Sequence, residues 1–169
     1  LAREDTPTYA AGVFSHLRDP RVADGLAEAF QTGLGLTYDG QGEGSEQHVE
    51  AMLAPMARAL LVPSVIPTLD GVVDRLEAGA KVVDVGCGTG LAIELLATAW
   101  PNCTFEGYDV SERAVSVARD RFNGVDNVTV HLAGGEDVPP TADVDLMMTL
   151  DCLHDMPRPD LAMGAIRQA

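Results

Sequence analysis

The sequence predicts an α/β fold, a doubly wound parallel sheet preceded by a helical segment. Three observations predict it. From Lys81 onward, short apolar runs alternate with amphipathic stretches, the pattern of βαβ units. The first of these runs, Val82-Val83-Asp84-Val85, leads directly into the glycine-rich turn Gly86-Cys87-Gly88-Thr89-Gly90. Before residue 79, apolar residues recur at helical spacing instead. A chain of 169 residues with 46% hydrophobic content can bury one core and carry some helical decoration around it.

Residues 1–78 read as a helical N-terminal segment or connector. Val22, Leu26 and Phe30 share one face, and Val49, Met52, Leu53, Met56 and Leu60 share another; both stripes are expected to be core. The run from Gly33 to Gly44 is too rich in glycine for regular structure and is expected to be a surface connection, with a substrate-facing loop as the alternative. A third helix is expected to start at Ser64 as N-cap, to turn Val65, Leu69, Val72, Val73 and Leu76 inward, and to stop near Gly79. Residues 79–169 form the second unit. Strands are expected at Val82–Val85, Thr104–Tyr108, Val128–Leu132 and Val144–Leu150. Helices are expected at Leu91–Thr98, at Ser111–Phe122 with Ser111 as N-cap, and from Arg158 to Ala169.

Charge and cysteine usage narrow the function. With 11 Lys and Arg against 26 Asp and Glu, the net charge of −15 argues against a nucleic-acid partner, because phosphate backbones are bound by clustered cations. Cys87, Cys103 and Cys152 are odd in number and form no CxxC pair, so no disulfide framework or zinc ribbon is expected and a reducing, cytoplasmic setting fits. No stretch approaches 18 uninterrupted apolar residues, and Leu1–Thr8 lacks the basic start and apolar run of a signal peptide, so no membrane partner is expected.

Two features carry chemistry. A strand that runs into a glycine-rich turn and then a helix lets backbone N–H groups approach a ligand at the C-terminal edge of the sheet, where doubly wound folds bind. Asp84 stands two residues before the first glycine, and Leu91 occupies the place where a dinucleotide-binding GxGxxG wants its third glycine. The second feature is Asp109, which ends an apolar run 23 residues after Gly86. A carboxylate there can accept hydrogen bonds from both ribose hydroxyls of an adenosine ligand. The alternative for Asp109 is charge stabilisation of the helix that begins just after it.

Through DVGCGTG at 84–90, EGYDVSERAVSVAR at 106–119 and DVDLMMTLDCLHDM at 143–156, the sequence resembles the class I S-adenosylmethionine-dependent methyltransferases. The resemblance runs from about residue 80 to the end. It implies a Rossmann-like fold for 79–169, with S-adenosylmethionine as cofactor. It also implies that Gly86, Cys87, Gly88 and Gly90 form the turn beneath the methionine moiety, that Asp84 helps hold its ammonium, that Asp109 binds the ribose, and that Val110 lies against the adenine. Family members continue past the fourth strand into further strands, so this chain is expected to hold an incomplete fold, with four strands in the order 3-2-1-4.

The segment Ala133-Gly134-Gly135-Glu136-Asp137-Val138-Pro139 resembles the family loop whose first acid contacts the adenine amino group; here that place holds Gly134. Backbone groups around Gly135 and Glu136, or the side chain of Glu136 or Asp137, are the candidates to substitute, and a plain solvated loop is the alternative. Leu153-His154-Asp155 resembles the LHD segment of small-molecule O-methyltransferases that carry an N-terminal winged-helix and helical region. That implies His154 as catalytic base, oriented by Asp155 or Asp151, with Asp151 also on the cofactor edge; a packing histidine is the alternative. Cys152 with His154 as a thiol or metal pair is disfavoured, and no metal is expected. His16, His48 and His131 have no supporting constellation and are read as surface or core residues.

The activity implied is methyl transfer to a small-molecule acceptor, with a homodimer as the candidate assembly. The rivals are a nicotinamide oxidoreductase, disfavoured by Leu91 and Asp84, and a non-catalytic adenosine-ligand scaffold.

Overall fold

The computed structural model describes residue 3, residues 6–14 and residues 21–169; His16 lies outside them. Four parallel strands form one sheet: β1 (Lys81–Val85), β2 (Thr104–Asp109), β3 (Val128–Leu132) and β4 (Leu146–Met148), in the order β3-β2-β1-β4. β1 pairs on both sides, Lys81 with Thr104 through Val85 with Tyr108, and Val82 with Leu146 through Asp84 with Met148. A strand covered on both faces must be apolar throughout, and Val82, Val83 and Val85 are fully buried.

Among the described residues there are six α-helices: α1 (Arg21–Thr32), α2 (Ser45–Leu60), α3 (Val72–Ala78), α4 (Leu91–Ala99), α5 (Glu112–Arg121) and α6 (Pro159–Ile166). On one sheet face, Val82, Phe105, Val130 and Met148 pack with Leu76 of α3, Ile93 and Leu96 of α4, and Val115 and Ala118 of α5. On the other face, Val83, Val85 and Tyr108 pack with Val138, Ala165 and Ile166 at α6. Ser111 caps α5 as its sequence predicts, its hydroxyl accepting from the Ala114 N–H at 3.2 Å.

Several expectations are corrected. Leu26 and Phe30 of α1 are exposed, and so are Met52, Leu53, Met56 and Leu60 of α2; only Val22 of the first stripe is buried. Periodicity marks a face as apolar without saying what covers it. The sheet domain instead takes the face of α2 that bears Glu50, and Leu61, just past the end of α2, joins its core.

Ser64 caps no helix. Past Leu60 the chain continues as one wide π turn, Leu61–Val65, and a 3₁₀ turn, Ile66–Thr68. Pro63 and Pro67 lack the N–H groups that an α-helix would use there. Val65 and Leu69 are exposed, and α3 begins only after Gly71. The whole run Ser45–Thr68 is long and apolar enough to cross a membrane by length and composition. Even so, Glu50 within it bonds directly to residues of the sheet domain. β4 is shorter than 144–150: only Leu146–Met148 pair with β1, and after Met148 the chain leaves the sheet to pass over the glycine turn.

Candidate functional site

The turn after β1 is held by the strand beside it: the N–H groups of Gly86 and Cys87 donate to the Tyr108 carbonyl at 2.7 and 3.1 Å. Its glycines have different tasks. Gly86, at φ +76°, lies under Cys152, whose Sγ and Cβ would overlap any side chain there. Gly90, at φ +86°, would place a Cβ 2.6 Å from the Phe122 ring. Gly88 alone of the three meets nothing within 4 Å, so its backbone faces open space at the sheet edge.

Two carboxylates flank that opening. Asp109, at the end of β2, accepts from the Gly88 N–H (2.8 Å) with one oxygen and from the Ser111 N–H (2.9 Å) with the other. It therefore ties the turn to Ser111, the N-cap residue of α5, and each oxygen keeps a further lone pair for a hydroxyl donor. Asp84 is 2% exposed, and its Oδ1 has no hydrogen-bond partner among the described residues. Burial, and then the charge of Asp109, push its pKa up to about 7. Val110, next to Asp109, is exposed and presents an apolar surface.

Both cysteines at this edge are protonated. Burial, followed by the charges of Asp84 and Asp109, drives the Cys87 thiol far above its ordinary range and the Cys152 thiol up to about 11. The Cys152 thiol donates to the Val85 carbonyl at 3.0 Å. Among the described residues no group of three His, Cys, Asp or Glu side chains is arranged to hold a metal.

His154 lies just past β4 on this same edge, with its side chain 65% exposed. Asp151 Oδ1 is 3.9 Å from its Nδ1, and Asp155 Oδ2 is 3.5 Å from its Nε2. Asp151 holds a left-handed backbone, φ +55°, unusual for a residue with a side chain. In the loop after β3, Gly135 is buried against Val85 and Ala162, where a Cβ would approach to 2.7 and 3.1 Å. Asp137 accepts from the Gly134 N–H at 3.0 Å, and the Glu136 side chain is left exposed. His131 stacks on Tyr108 at 4.5 Å, 3.3 Å from Glu106, and His48 is half-buried on α2.

The structure adds three residues that no motif marked, all from the helical segment. Tyr38 donates to Asp155 Oδ2 at 2.5 Å, and burial together with that carboxylate holds its phenol well above the usual range, hence protonated. Asp39 accepts from the Ser111 hydroxyl at 2.6 Å and the Glu112 N–H at 3.1 Å. Glu50 accepts from the Thr89 hydroxyl at 2.5 Å. The glycine-rich run 33–44 is therefore more than a surface connection, because its middle reaches the loops after β2 and β4. The one hint in the sequence was Thr89, a hydroxyl inside a glycine turn.

Residues 82–169 match the family described as a methyltransferase domain. Over 84 residues the chain is 36% identical to trans-aconitate 2-methyltransferase of Mycolicibacterium gilvum, covering 49% of this chain and 31% of that protein. Over 82 residues it is 37% identical to the Mycobacterium tuberculosis (strain H37Ra) enzyme of the same name, covering 48% and 30%. The match thus spans about a third of the length of these relatives. Among solved structures, human N-acetylserotonin methyltransferase in complex with SAM aligns with a TM-score of 0.61 at 18% identity, covering 95% of this chain and 49% of that one. The [4+2]-cyclase SpnF aligns with a TM-score of 0.55 at 26% identity, covering 69% and 42%.

Proposed function

The chain belongs to the methyltransferase-domain family, and from that premise we propose that it binds S-adenosylmethionine and transfers its methyl group to a small-molecule acceptor. One observation carries the reading: a buried carboxylate with an unpartnered oxygen, Asp84, beside an open glycine backbone and a second carboxylate, Asp109. That set is complementary to a ligand bearing both an ammonium and a ribose diol. A nicotinamide dinucleotide would instead bring its pyrophosphate towards two carboxylates, which repel it.

S-adenosylmethionine, when bound, supplies an electrophilic methyl group. Asp84 would meet its ammonium, Gly88 would give the methionine moiety close backbone contact, and Asp109 would accept from the ribose hydroxyls. Val110 offers an apolar surface to the adenine, and the exposed carboxylate of Glu136 is the acceptor group for its amino edge. His154 takes the proton from the acceptor heteroatom on Nδ1, while Asp155, beside Nε2, orients the imidazole through its other nitrogen. Tyr38 fixes Asp155 in turn. Asp109, Asp151 and Asp155 make this edge anionic, which favours binding of a neutral or cationic acceptor such as a phenol or an amine, the latter attacking once deprotonated. The setting proposed is cytoplasmic, in keeping with three unpaired cysteines.

Calorimetric titration with S-adenosylmethionine and with NADH tests the ligand. We expect heat of binding from the first only, and binding of NADH alone sinks the reading. Transfer of labelled methyl to a panel of phenols and amines, with trans-aconitate alongside, then separates an enzyme from a binding scaffold.

A further inference from the structure

Glu50 stands on α2, 39 positions before Thr89, and joins two parts of the sheet domain. One of its oxygens accepts from the Thr89 hydroxyl at 2.5 Å, and both oxygens lie 2.8 Å from Nη2 of Arg121, the last residue of α5. All three groups are shielded: Thr89 is buried, and the side chains of Glu50 and Arg121 are 16% and 19% exposed. The next residue, Phe122, packs against Gly90. Residues 89 and 90 are therefore gripped from behind by Glu50 and Phe122, while Gly88, one residue earlier, is held on the ligand side by Asp109.

This matters because the turn consists of residues that hold themselves in place poorly. Glycine ranges over both signs of φ, so a turn with glycine at alternate positions keeps one shape only if its neighbours impose it. Thr89 lies between two of those glycines, and its hydroxyl is the handle by which a group outside the sheet domain can fix the peptide that faces the ligand.

We propose that Glu50 is a positioning residue of the cofactor site, acting through Thr89, and that the N-terminal helical segment is part of that site rather than a connector to it. The inference rests on the reading that the glycine turn binds S-adenosylmethionine.

The test is a double-mutant cycle read as the Kd for S-adenosylmethionine on the intact protein, with thermal unfolding of each variant alongside. Glu50→Ala and Thr89→Val should each weaken binding about tenfold, the scale of one hydrogen bond to a charged group. The double variant should be no weaker than the worse single one, because both remove the same contact. Glu50→Gln keeps an oxygen for Thr89 while losing the ion pair to Arg121, and should restore Kd to within about threefold of wild type. If Glu50→Gln and Glu50→Ala are equally weak, or the single effects multiply, the role lies in the Arg121 pair and the inference is overturned. Should Glu50→Ala fail to fold, Thr89→Val and Glu50→Gln decide: Thr89→Val at wild-type Kd overturns the positioning role alone. Wild-type protein that binds no S-adenosylmethionine overturns the functional reading and this inference together.

Discussion

Replacing Asp84 by Asn should make the ligand-free protein more stable at pH 8 and a poorer binder of S-adenosylmethionine. Asp84 is buried with an unpartnered oxygen, and its pKa is raised from 3.8 to about 7 by desolvation and then by Asp109. A carboxyl group with a raised folded-state pKa gives stability that is fully present below the unfolded value and is lost as the pH climbs through about 7. Above that point the folded protein carries a buried ionised acid, a penalty on the order of 4 kcal/mol at most. An Asn side chain removes the charge but leaves a buried amide to satisfy, which costs about 1–3 kcal/mol. The net gain at pH 8 is then at most about 1–3 kcal/mol, and at pH 4 it should vanish or reverse. Urea denaturation at the two pH values measures it. Calorimetry measures the other half: wild-type affinity for S-adenosylmethionine should rise between pH 5.5 and 7, by at most about tenfold per unit, as Asp84 ionises to meet the ammonium. The Asn variant should bind weakly, without that rise. An Asn variant that gains no stability at pH 8 would show that the charge is not penalised where it lies, and one with wild-type affinity would remove Asp84 from the site.

Three further outcomes are expected. Asp109→Ala should weaken S-adenosylmethionine binding from about tenfold to several hundredfold, since the charge-assisted hydrogen bonds lost with it are together worth roughly 1.5–3 kcal/mol; an unchanged Kd in a folded variant would exclude Asp109 from the ribose contact. His154→Ala should lower kcat by about 10² to 10⁴ while the cofactor Kd stays within about twofold, and a variant that transfers methyl at the wild-type rate would leave His154 a surface residue and catalysis to positioning alone. Gly90→Ala should cost about 2–4 kcal/mol in urea unfolding, because it combines a left-handed backbone with a Cβ pressed on the buried Phe122 ring. A loss under about 1 kcal/mol would mean that the ring yields freely.

The local chemistry of the sheet domain was legible in the sequence. Val82–Val85 reads as a buried strand because a strand between two others can hold nothing polar on either face without a reason, and the one exception, Asp84, is the buried acid with an unpartnered oxygen. Ser111 reads as an N-cap because its hydroxyl satisfies an N–H three residues on, a contact that sequence spacing alone defines. The glycine turn and Asp109 were likewise visible, since each depends on residue type and on position along a strand. Tertiary structure decided the rest. Nothing local announces that Tyr38 reaches Asp155, 117 positions away, or that Glu50 reaches Thr89, because such pairs exist only once separate elements have packed. The apolar stripe of α2 shows the same limit: Met52, Leu53, Met56 and Leu60 have the spacing of a core face, yet the sheet domain accepts the neighbouring face of the helix. Periodicity fixes which side chains point together along a helix, and only packing fixes what they point at.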